Sequence, residues 1–412
     1  MEKRGMLSRI KKALNSVGPG FIIASVVLGP GSITVASRIG SEHGYAFLWV
    51  IVVAAVFMIV YASMGTRFGV VNDKSILQTI AEKYGRWFAV AIGISTFLST
   101  SSFQFGNNLG IGIGMEGITG IDERVWPLVF TPLALILLFW AKNLYKILER
   151  LMMAIVMIMI VAFMVNLIMT KPEIVPLAKG FIPRTFSMSD LEVIVALMAT
   201  SFALSAAIYQ SYLAQNKGWK KEDLSKSLKD TYIGIFLLAL ISGIVIITSA
   251  AALNPEGIVV NSAADMALQM EALFGGFAKI IFSIGLCAAA FSSLMVNSVI
   301  GGGLLADSLG MGRSMNDKWP KIFTSVILLT GMLVAVFFRG NVIYALIMAQ
   351  ASSMMAVPII AIGLFLILNS KKVMGKYKNT LLQNVIAIIG LISISVMIYF
   401  MFQKLNMFIH SI

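Results

Sequence analysis

Charged residues are scarce in this chain, and their scarcity excludes most kinds of protein. Asp, Glu, Lys and Arg together make up 12% of the 412 residues, whereas 58% of the residues are hydrophobic. A soluble globular protein carries about 25% charged residues, and it needs them to keep its surface in water. The composition therefore predicts an integral membrane protein with several spans.

Cysteine is almost absent, which excludes a disulfide framework. Cys287 is the single cysteine and lies in an apolar segment, so it has no partner in the chain and says little about compartment. Catalytic constellations are missing from the sequence as well, including a Ser-His-Asp grouping, metal-spaced Cys or His and a phosphate loop. We therefore expect neither an enzyme nor a bound cofactor.

Long apolar runs dominate what is present. Runs of about 18 residues or more predict an all-α polytopic membrane protein with eleven transmembrane helices. The basic first residues lead into a full-length span without a cleavage site, so no cleavable signal sequence is expected. The loops are short, and no second, soluble domain is expected. The eleven segments lie roughly at 17–38, 45–66, 87–113, 125–141, 147–169, 191–214, 231–253, 275–303, 320–338, 340–369 and 381–403.

The basic residues are distributed unevenly between the two sides of the predicted membrane. With the N-terminus placed in the cytoplasm, most of the 32 Lys and Arg fall on the cytoplasmic side, as the positive-inside rule requires. The net charge of +13 thus reflects topology and indicates no nucleic-acid partner. The sequence predicts a multi-pass inner (plasma) membrane protein in contact with the lipid bilayer, with its C-terminus outside. It does not indicate the oligomeric state.

The first span contains a sequence that breaks helices. Gly29, Pro30 and Gly31 stand near its centre, and Ser32 and Thr34 follow. Proline has no N–H and its ring clashes with the preceding turn, so at least one backbone hydrogen bond is lost. A carbonyl freed in this way is costly in hydrocarbon unless protein or a polar cavity surrounds it. A simple kink and a true break are both open, and the two glycines favour the break.

Secondary transporters built from inverted repeats place interrupted helices near the middle of the membrane in corresponding positions of the two halves. The corresponding sixth span, at about 191–214, contains no Gly or Pro. A second break and a continuous helix with a small-residue packing face therefore remain equally open. The small and polar residues at its middle are Thr200, Ser201, Ser205, Ala206, Ala207, Gln210 and Ser211.

Several stretches of the chain resemble the Nramp family of divalent-metal transporters. GPGF at 18–21 is similar to the start of that family's first span, and GYAFLW at 44–49 is similar to the start of its second span. IFSIGLCAAAFSS at 281–293 resembles the eighth-span signature. Gln350 and Pro358 fall where the tenth span of the family carries Gln and Pro. The resemblance covers most of the chain.

The resemblance implies the LeuT-like fold with two inverted repeats of five helices. The repeats are expected at about 17–169 and 191–369, and an accessory helix at about 381–403, all within one integral membrane transporter domain spanning 1–412. It also implies import of Mn²⁺ or Fe²⁺ together with protons.

The family's metal-binding motifs are altered in this sequence. Its Asp-Pro-Gly-Asn corresponds to residues 29–32, so the carboxylate and the amide are both replaced. Its Met-Pro-His corresponds to Ala203, Leu204 and Ser205, and the following histidine to Gln210. The acidic pair of the third span falls on Gln104 and Asn107, and a tenth-span glutamine falls on Ala356.

These replacements change the expected chemistry. Loss of the thioether removes a preference for soft metals, and loss of the carboxylate makes full dehydration of an ion hard to offset. Neutral amides do not relay protons. We therefore predict a carrier of a largely hydrated divalent cation, with Mg²⁺ favoured and Mn²⁺ as the second choice, by alternating access without proton coupling. An Nramp-related branch of magnesium transporters resembles this chain in lacking the sixth-span methionine.

Two other functions stay open: transport of a small neutral or zwitterionic solute such as an amino acid by the same fold, and a non-transporting membrane scaffold. The predicted substrate-binding residues are Gly29, Ser32, Thr34, Gln104, Asn107, Ala203, Ser205 and Gln350, with Gly29, Ser32 and Ala203 next to the cation, directly or through water.

Overall fold

The computed structural model describes residues 29–140, 142–184, 187 and 190–410. The first half of the first span and the GPGF stretch at 18–21 lie outside the described residues. Within those ranges the chain is helical and contains no β-strand.

The helices follow the predicted spans closely. In the first half they are α1 (Pro30–His43), α2 (Leu48–Val71), α3 (Ile76–Tyr84), α4 (Arg86–Thr119), α5 (Trp126–Phe139), α6 (Lys142–Met169) and α7 (Ile174–Gly180). In the second half they are α8 (Leu191–Ser201), α9 (Leu204–Asn216), α10 (Leu224–Ala252), α11 (Ala263–Leu268), α12 (Glu271–Phe274), α13 (Ala278–Leu309), α14 (Lys318–Phe337), α15 (Val342–Ser353), α16 (Val357–Leu368), α17 (Lys371–Met374) and α18 (Leu381–His410).

Eight helical segments in the described part are long and apolar enough to cross a membrane. The fourth span is the shorter apolar helix α5, and the fifth span lies within α6, Lys142–Met169. The first span is described only from its middle onward, as α1. The all-α membrane fold is thus confirmed, while the number eleven stays a prediction.

The third and eighth spans form the most extensive helix pair, α4 with α13. Glycines allow the two backbones to approach closely, which is how helices associate in lipid. A Cβ on Gly93 would lie 2.0 Å from Ser308 Oγ, and a Cβ on Gly114 would lie 3.0 Å from the Ser283 carbonyl oxygen. This pair forms the wall against which the interrupted helices pack.

The described half of the first span begins as a helix at the predicted break. Gly29 is extended, with φ −95° and ψ 178°, and α1 starts at Pro30. Proline is well tolerated at the first helical position because its missing N–H has no partner there in any case. The third span closes over this point, since a Cβ on Gly110 would lie 2.2 Å from Pro30 Cβ.

The sixth span is interrupted, which resolves the alternative that its sequence left open. α8 ends at Ser201 and α9 begins at Leu204, with φ/ψ of −117°/62° at Phe202 and −86°/89° at Ala203. The Phe202 ring is fully buried, 5.9 Å from the Phe57 ring and 5.5 Å from the Tyr61 ring. Aromatic packing against the second span therefore stabilises this break, although the sixth span contains no Gly or Pro.

Candidate functional site

The tenth span places an amide directly on the first-span break. Gln350 on α15 lies so close to Gly31 that a Cβ on that glycine would be 1.9 Å from Gln350 Nε2. The Gln350 side chain is buried, and its Oε1 has no hydrogen-bond partner. An unpartnered acceptor in the protein interior is costly, so this oxygen marks a position where a donor is expected.

Gly29 lies against polar atoms of the third and eighth spans. A Cβ on Gly29 would be 3.2 Å from Asn107 Oδ1 and 3.0 Å from Ser293 Oγ. Asn297, one turn further along α13, donates from Nδ2 to Ser293 Oγ at 2.9 Å. The extended backbone of Gly29 therefore faces a carbonyl oxygen and a hydroxyl, and a larger residue there would have to displace both slightly.

A chain of amides determines which atom of Asn107 points at Gly29. Gln104 donates from Nε2 to the Leu294 carbonyl oxygen at 2.6 Å. Its Oε1 accepts from Asn107 Nδ2 at 3.1 Å. Because an amide has one donor end and one acceptor end, this orientation turns Asn107 Oδ1 toward the break as an acceptor.

The sixth-span break lies in the same core. α8 packs on both α1 and α15, and Ala203 and Ser205, at the start of α9, are buried. The break leaves the last carbonyls of α8 and the first N–H groups of α9 without partners inside their helices. Backbone dipoles are thus available beside the polar side chains, as they are at helix ends that bind ions.

Ser32 and Thr34 are the two remaining residues of the predicted set. Both are buried on α1. The Thr34 hydroxyl is directed to Met266 Sδ at 3.5 Å, on α11. Thr34 thus contributes to packing toward the predicted outer side rather than to the amide cluster around Gly29 and Gln350.

The outer half of α1 is tied to its neighbours by buried hydrogen bonds. Gln269 donates from Nε2 to Ser37 Oγ at 2.9 Å, and Ser249 donates to the Ser37 carbonyl oxygen at 2.5 Å. Asn254 donates to the Ser41 carbonyl oxygen at 2.8 Å. These bonds hold α1 against α10 and against the segment that follows α11.

A hydrogen-bonded latch between the sixth and eighth spans lies at the predicted inner end. Tyr212 on α9 donates to Asp307 Oδ2 on α13 at 2.5 Å. Nearby on the same side, Arg67 donates to the carbonyl oxygens of Tyr377 and Lys378 and to Asn379 Oδ1. The first of these contacts ties the inner part of the sixth span to the eighth.

The cluster around Gly29 is neutral. Among the residues whose burial is described, Arg67 and Asp307 are the only buried charged side chains, and both lie toward helix ends. No group of three or more His, Cys, Asp or Glu able to hold a metal occurs in the described part of the chain. A ligand at this cluster would meet amide, hydroxyl and backbone groups.

Two contributors escaped the sequence reasoning. Neither Ser293 nor Asn297 is among the predicted binding residues, yet the Ser293 hydroxyl lies beside Gly29 and accepts a hydrogen bond from Asn297. Their i, i+4 spacing in an apolar span was the available signal. Asn108, the next residue along α4, instead joins the third span to the fourth by accepting from Thr131.

Comparison with known proteins agrees with this architecture. The family profile described as natural resistance-associated macrophage protein-like, Nramp, matches residues 20–403. The chain belongs to the Nramp family. Its relatives include the divalent metal cation transporter MntH of Klebsiella pneumoniae, 24% identical over 90% of this chain and 89% of that protein. MntH of Bacillus subtilis is 22% identical over 91% of this chain and 88% of that protein.

Solved structures show the same fold. A manganese transporter of Eremococcus coleocola in the Nramp fold superposes with a TM-score of 0.77 at 17% identity, covering 92% of this chain and 84% of that one. Mhp1, a nucleobase-cation-symport-1 family transporter, superposes with a TM-score of 0.57 at 14% identity, covering 85% and 78%. This Nramp protein therefore has the LeuT-like fold that the resemblance implied.

Proposed function

We propose that the protein is a membrane carrier of a divalent metal cation that travels largely hydrated, with Mg²⁺ preferred over Mn²⁺. Membership in the Nramp family and the names of its MntH relatives support a divalent cation as substrate. The residues around Gly29 and Gly31 support a cation that keeps its water shell.

The observation that carries the proposal is a surplus of acceptors without any carboxylate. Asn107 Oδ1 faces Gly29, and Gln350 Oε1 is buried and unpartnered beside Gly31. The waters around a small divalent cation point their hydrogens outward, so they donate to such acceptors. Mg²⁺ dehydrates reluctantly and keeps several waters when it is bound, and so it suits this lining.

Transport without proton coupling follows from the same lining. Amides and hydroxyls do not exchange protons at physiological pH, and the buried carboxylate Asp307 is engaged by Tyr212 at the predicted inner end. A coupled proton would therefore find no titratable group beside Gly29 in the described part of the chain. We infer that the cation gradient and the membrane potential drive uptake.

A flux assay tests this function. Purified protein in liposomes loaded with a Mg²⁺ indicator or a pH indicator is expected to give saturable Mg²⁺ uptake without internal acidification. Asn107→Leu removes the acceptor that faces Gly29 and should raise KM. Asn108→Leu, on the neighbouring residue, should lower thermal stability and leave KM unchanged. Absence of Mg²⁺ and Mn²⁺ uptake by well-folded protein would overturn the proposal.

A small zwitterionic or neutral solute is the second candidate. The neutral lining and the unpartnered Gln350 Oε1 favour it, because an N–H donor of an organic solute fits that oxygen as well as a water does. Thermal unfolding measured against a panel of amino acids and divalent cations separates the two. Stabilisation by an amino acid alone would replace the cation as substrate.

A further inference from the structure

The outer ends of the first, fifth and seventh spans surround a pocket that the transport site does not use. Its volume is about 770 Å³. It is lined by the link between α1 and α2, by the segment 170–184 that contains α7, and by the residues that follow α10. From this pocket we infer a binding site for a phosphate-type anion, presented by a free phosphate or by a lipid headgroup.

The charge of the pocket selects an anion. Lys171, Lys179 and Arg184 line it together with one carboxylate, Glu173. All three basic side chains are exposed, and they form no ion pair within the described part of the chain. His43 also lines the pocket but lies 3.8 Å from Asp190 and 3.9 Å from Glu42, so carboxylates already face it. A net positive pocket with Lys and Arg donors matches the geometry and charge of phosphate.

The placement of these cations is unusual for topology. The positive-inside rule depletes basic residues from the outer ends of spans, and this segment lies on the predicted outer side. Three basic side chains facing one cavity there run against the trend. Topology therefore does not explain them, whereas an anionic ligand does.

Prolines and an arginine–aromatic contact restrict the conformation of the pocket walls. Four of the ten prolines in the chain line it: Pro172, Pro176, Pro183 and Pro255. The Arg184 guanidinium lies over the Phe47 ring, 5.5 Å from its centroid. A cavity held in this way loses little conformational entropy on binding, which favours affinity.

Lys171 adds backbone strain at the same place. It has φ 44° and is the only residue other than glycine with positive φ in the described part of the chain. A side chain in this region costs free energy and persists only where its surroundings demand it. In this conformation the Lys171 side chain lines the pocket.

An occupant would act on the outer end of α1. The pocket includes Gly44 and Tyr45, which link α1 to α2, and Gly180 packs so tightly on this link that a Cβ there would lie 2.2 Å from the Tyr45 carbonyl oxygen. Asn254, which bonds the Ser41 carbonyl oxygen, lines it as well. A bound phosphate would bridge the link and the 170–184 segment and so stabilise the packed outer arrangement.

The test measures thermal unfolding of the full chain in phosphate-free maltoside micelles. Inorganic phosphate is titrated at constant ionic strength in one arm, and phosphatidylglycerol is titrated against an uncharged diacylglycerol in the other. A saturable rise in Tm with phosphate identifies a free-anion site, and a rise confined to phosphatidylglycerol identifies a headgroup site.

Variants decide whether the pocket is responsible. Replacing Lys171, Lys179 and Arg184 together by Gln should abolish the rise. Replacing Lys221, Lys226 and Lys229, which are exposed at the predicted inner side, changes the net charge equally and should leave it intact. Glu173→Gln removes the one carboxylate and should lower the apparent Kd roughly threefold. Equal behaviour of wild type and the first triple variant in both arms, or loss of the rise in the second triple variant, would overturn the site.

Discussion

The amide of Gln350 occupies the space that a side chain at Gly31 would need. A Cβ on Gly31 would lie 1.9 Å from Gln350 Nε2 and 2.5 Å from its Cδ. The tenth span therefore reaches the first-span break through a gap that only glycine provides, and the acceptor Gln350 Oε1 is held there without a partner.

Gly31→Ala should displace the Gln350 amide and impair cation uptake. Overpacking of this kind costs about 1–3 kcal/mol, so Tm should also fall. Gly303→Ala is the matched control, because Gly303 is helical and nothing lies within 4 Å of its built Cβ. That variant should retain uptake and unfold at the same or a slightly higher temperature. Equal uptake by both variants would show that Gln350 has no role at the break.

Asn107→Asp should tighten cation binding and slow release. The carboxylate would stand beside Gly29, where Asn107 Oδ1 lies now, and would attract a divalent cation directly. A roughly tenfold drop in KM corresponds to about 1.4 kcal/mol of added attraction. Uptake kinetics of Mn²⁺ and Mg²⁺ in liposomes check this, with Asn261→Asp on an exposed loop as control. An unchanged KM would place the cation elsewhere.

Phe202→Ala should destabilise the sixth-span break. Truncating a buried Phe costs about 3–5 kcal/mol, and this ring packs against Phe57 and Tyr61. Thermal unfolding and uptake should both suffer. Phe236→Ala on α10, where the side chain is 63% exposed, should change neither. A Phe202 variant that transports normally would mean that the break does not depend on this anchor.

Tyr212→Phe should weaken the latch between the sixth and eighth spans. Asp307 would keep its burial and lose the hydroxyl that donates to it, at a cost of about 1–3 kcal/mol. Tyr209→Phe removes the hydroxyl of the neighbouring ring, which stacks on Tyr212, and leaves this hydrogen bond in place. Thermal unfolding of the two variants should differ accordingly, and equal Tm values would rule out a stabilising latch.

Stability should fall with rising pH because of Glu123 on the outer loop before α5. Burial, followed by repulsion from Glu116, raises the pKa of Glu123 from the ordinary 4.5 to about 7. Between these values the folded state binds more protons than the unfolded state, so this contribution is present below pH 4.5 and is lost as pH rises through 7. Glu123→Gln should flatten the Tm profile across that window, and a variant profile as steep as that of the wild type would contradict this role of Glu123.

Much of the fold could be predicted because hydrocarbon imposes a simple rule on sequence. Spans must be apolar and long, and most predicted segments lie close to observed helices, as in 320–338 against Lys318–Phe337. The start of α1 at Pro30 agrees with the sequence for the same kind of reason, since Pro30 cannot donate and two glycines flank it. The sequence could name the residues of the amide cluster but not their hydrogen bonds. Those bonds, such as the one from Gln104 to the Leu294 carbonyl oxygen, depend on which helices become neighbours.

Sequence alone indicated that the chain crosses a membrane, favoured a break over a kink near Gly29 and placed no carboxylate near the centre of a predicted span, because hydropathy, proline and charge act locally. Tertiary structure decided the rest. The sixth span is interrupted at Phe202, whose ring packs against Phe57 and Tyr61 of the second span. That contact between distant segments could not be read from the sequence of the sixth span. The tertiary structure also directs Asn107 toward Gly29 and Asn108 toward Thr131, and it places Ser293 beside Gly29. These contacts depend on which helices pack together.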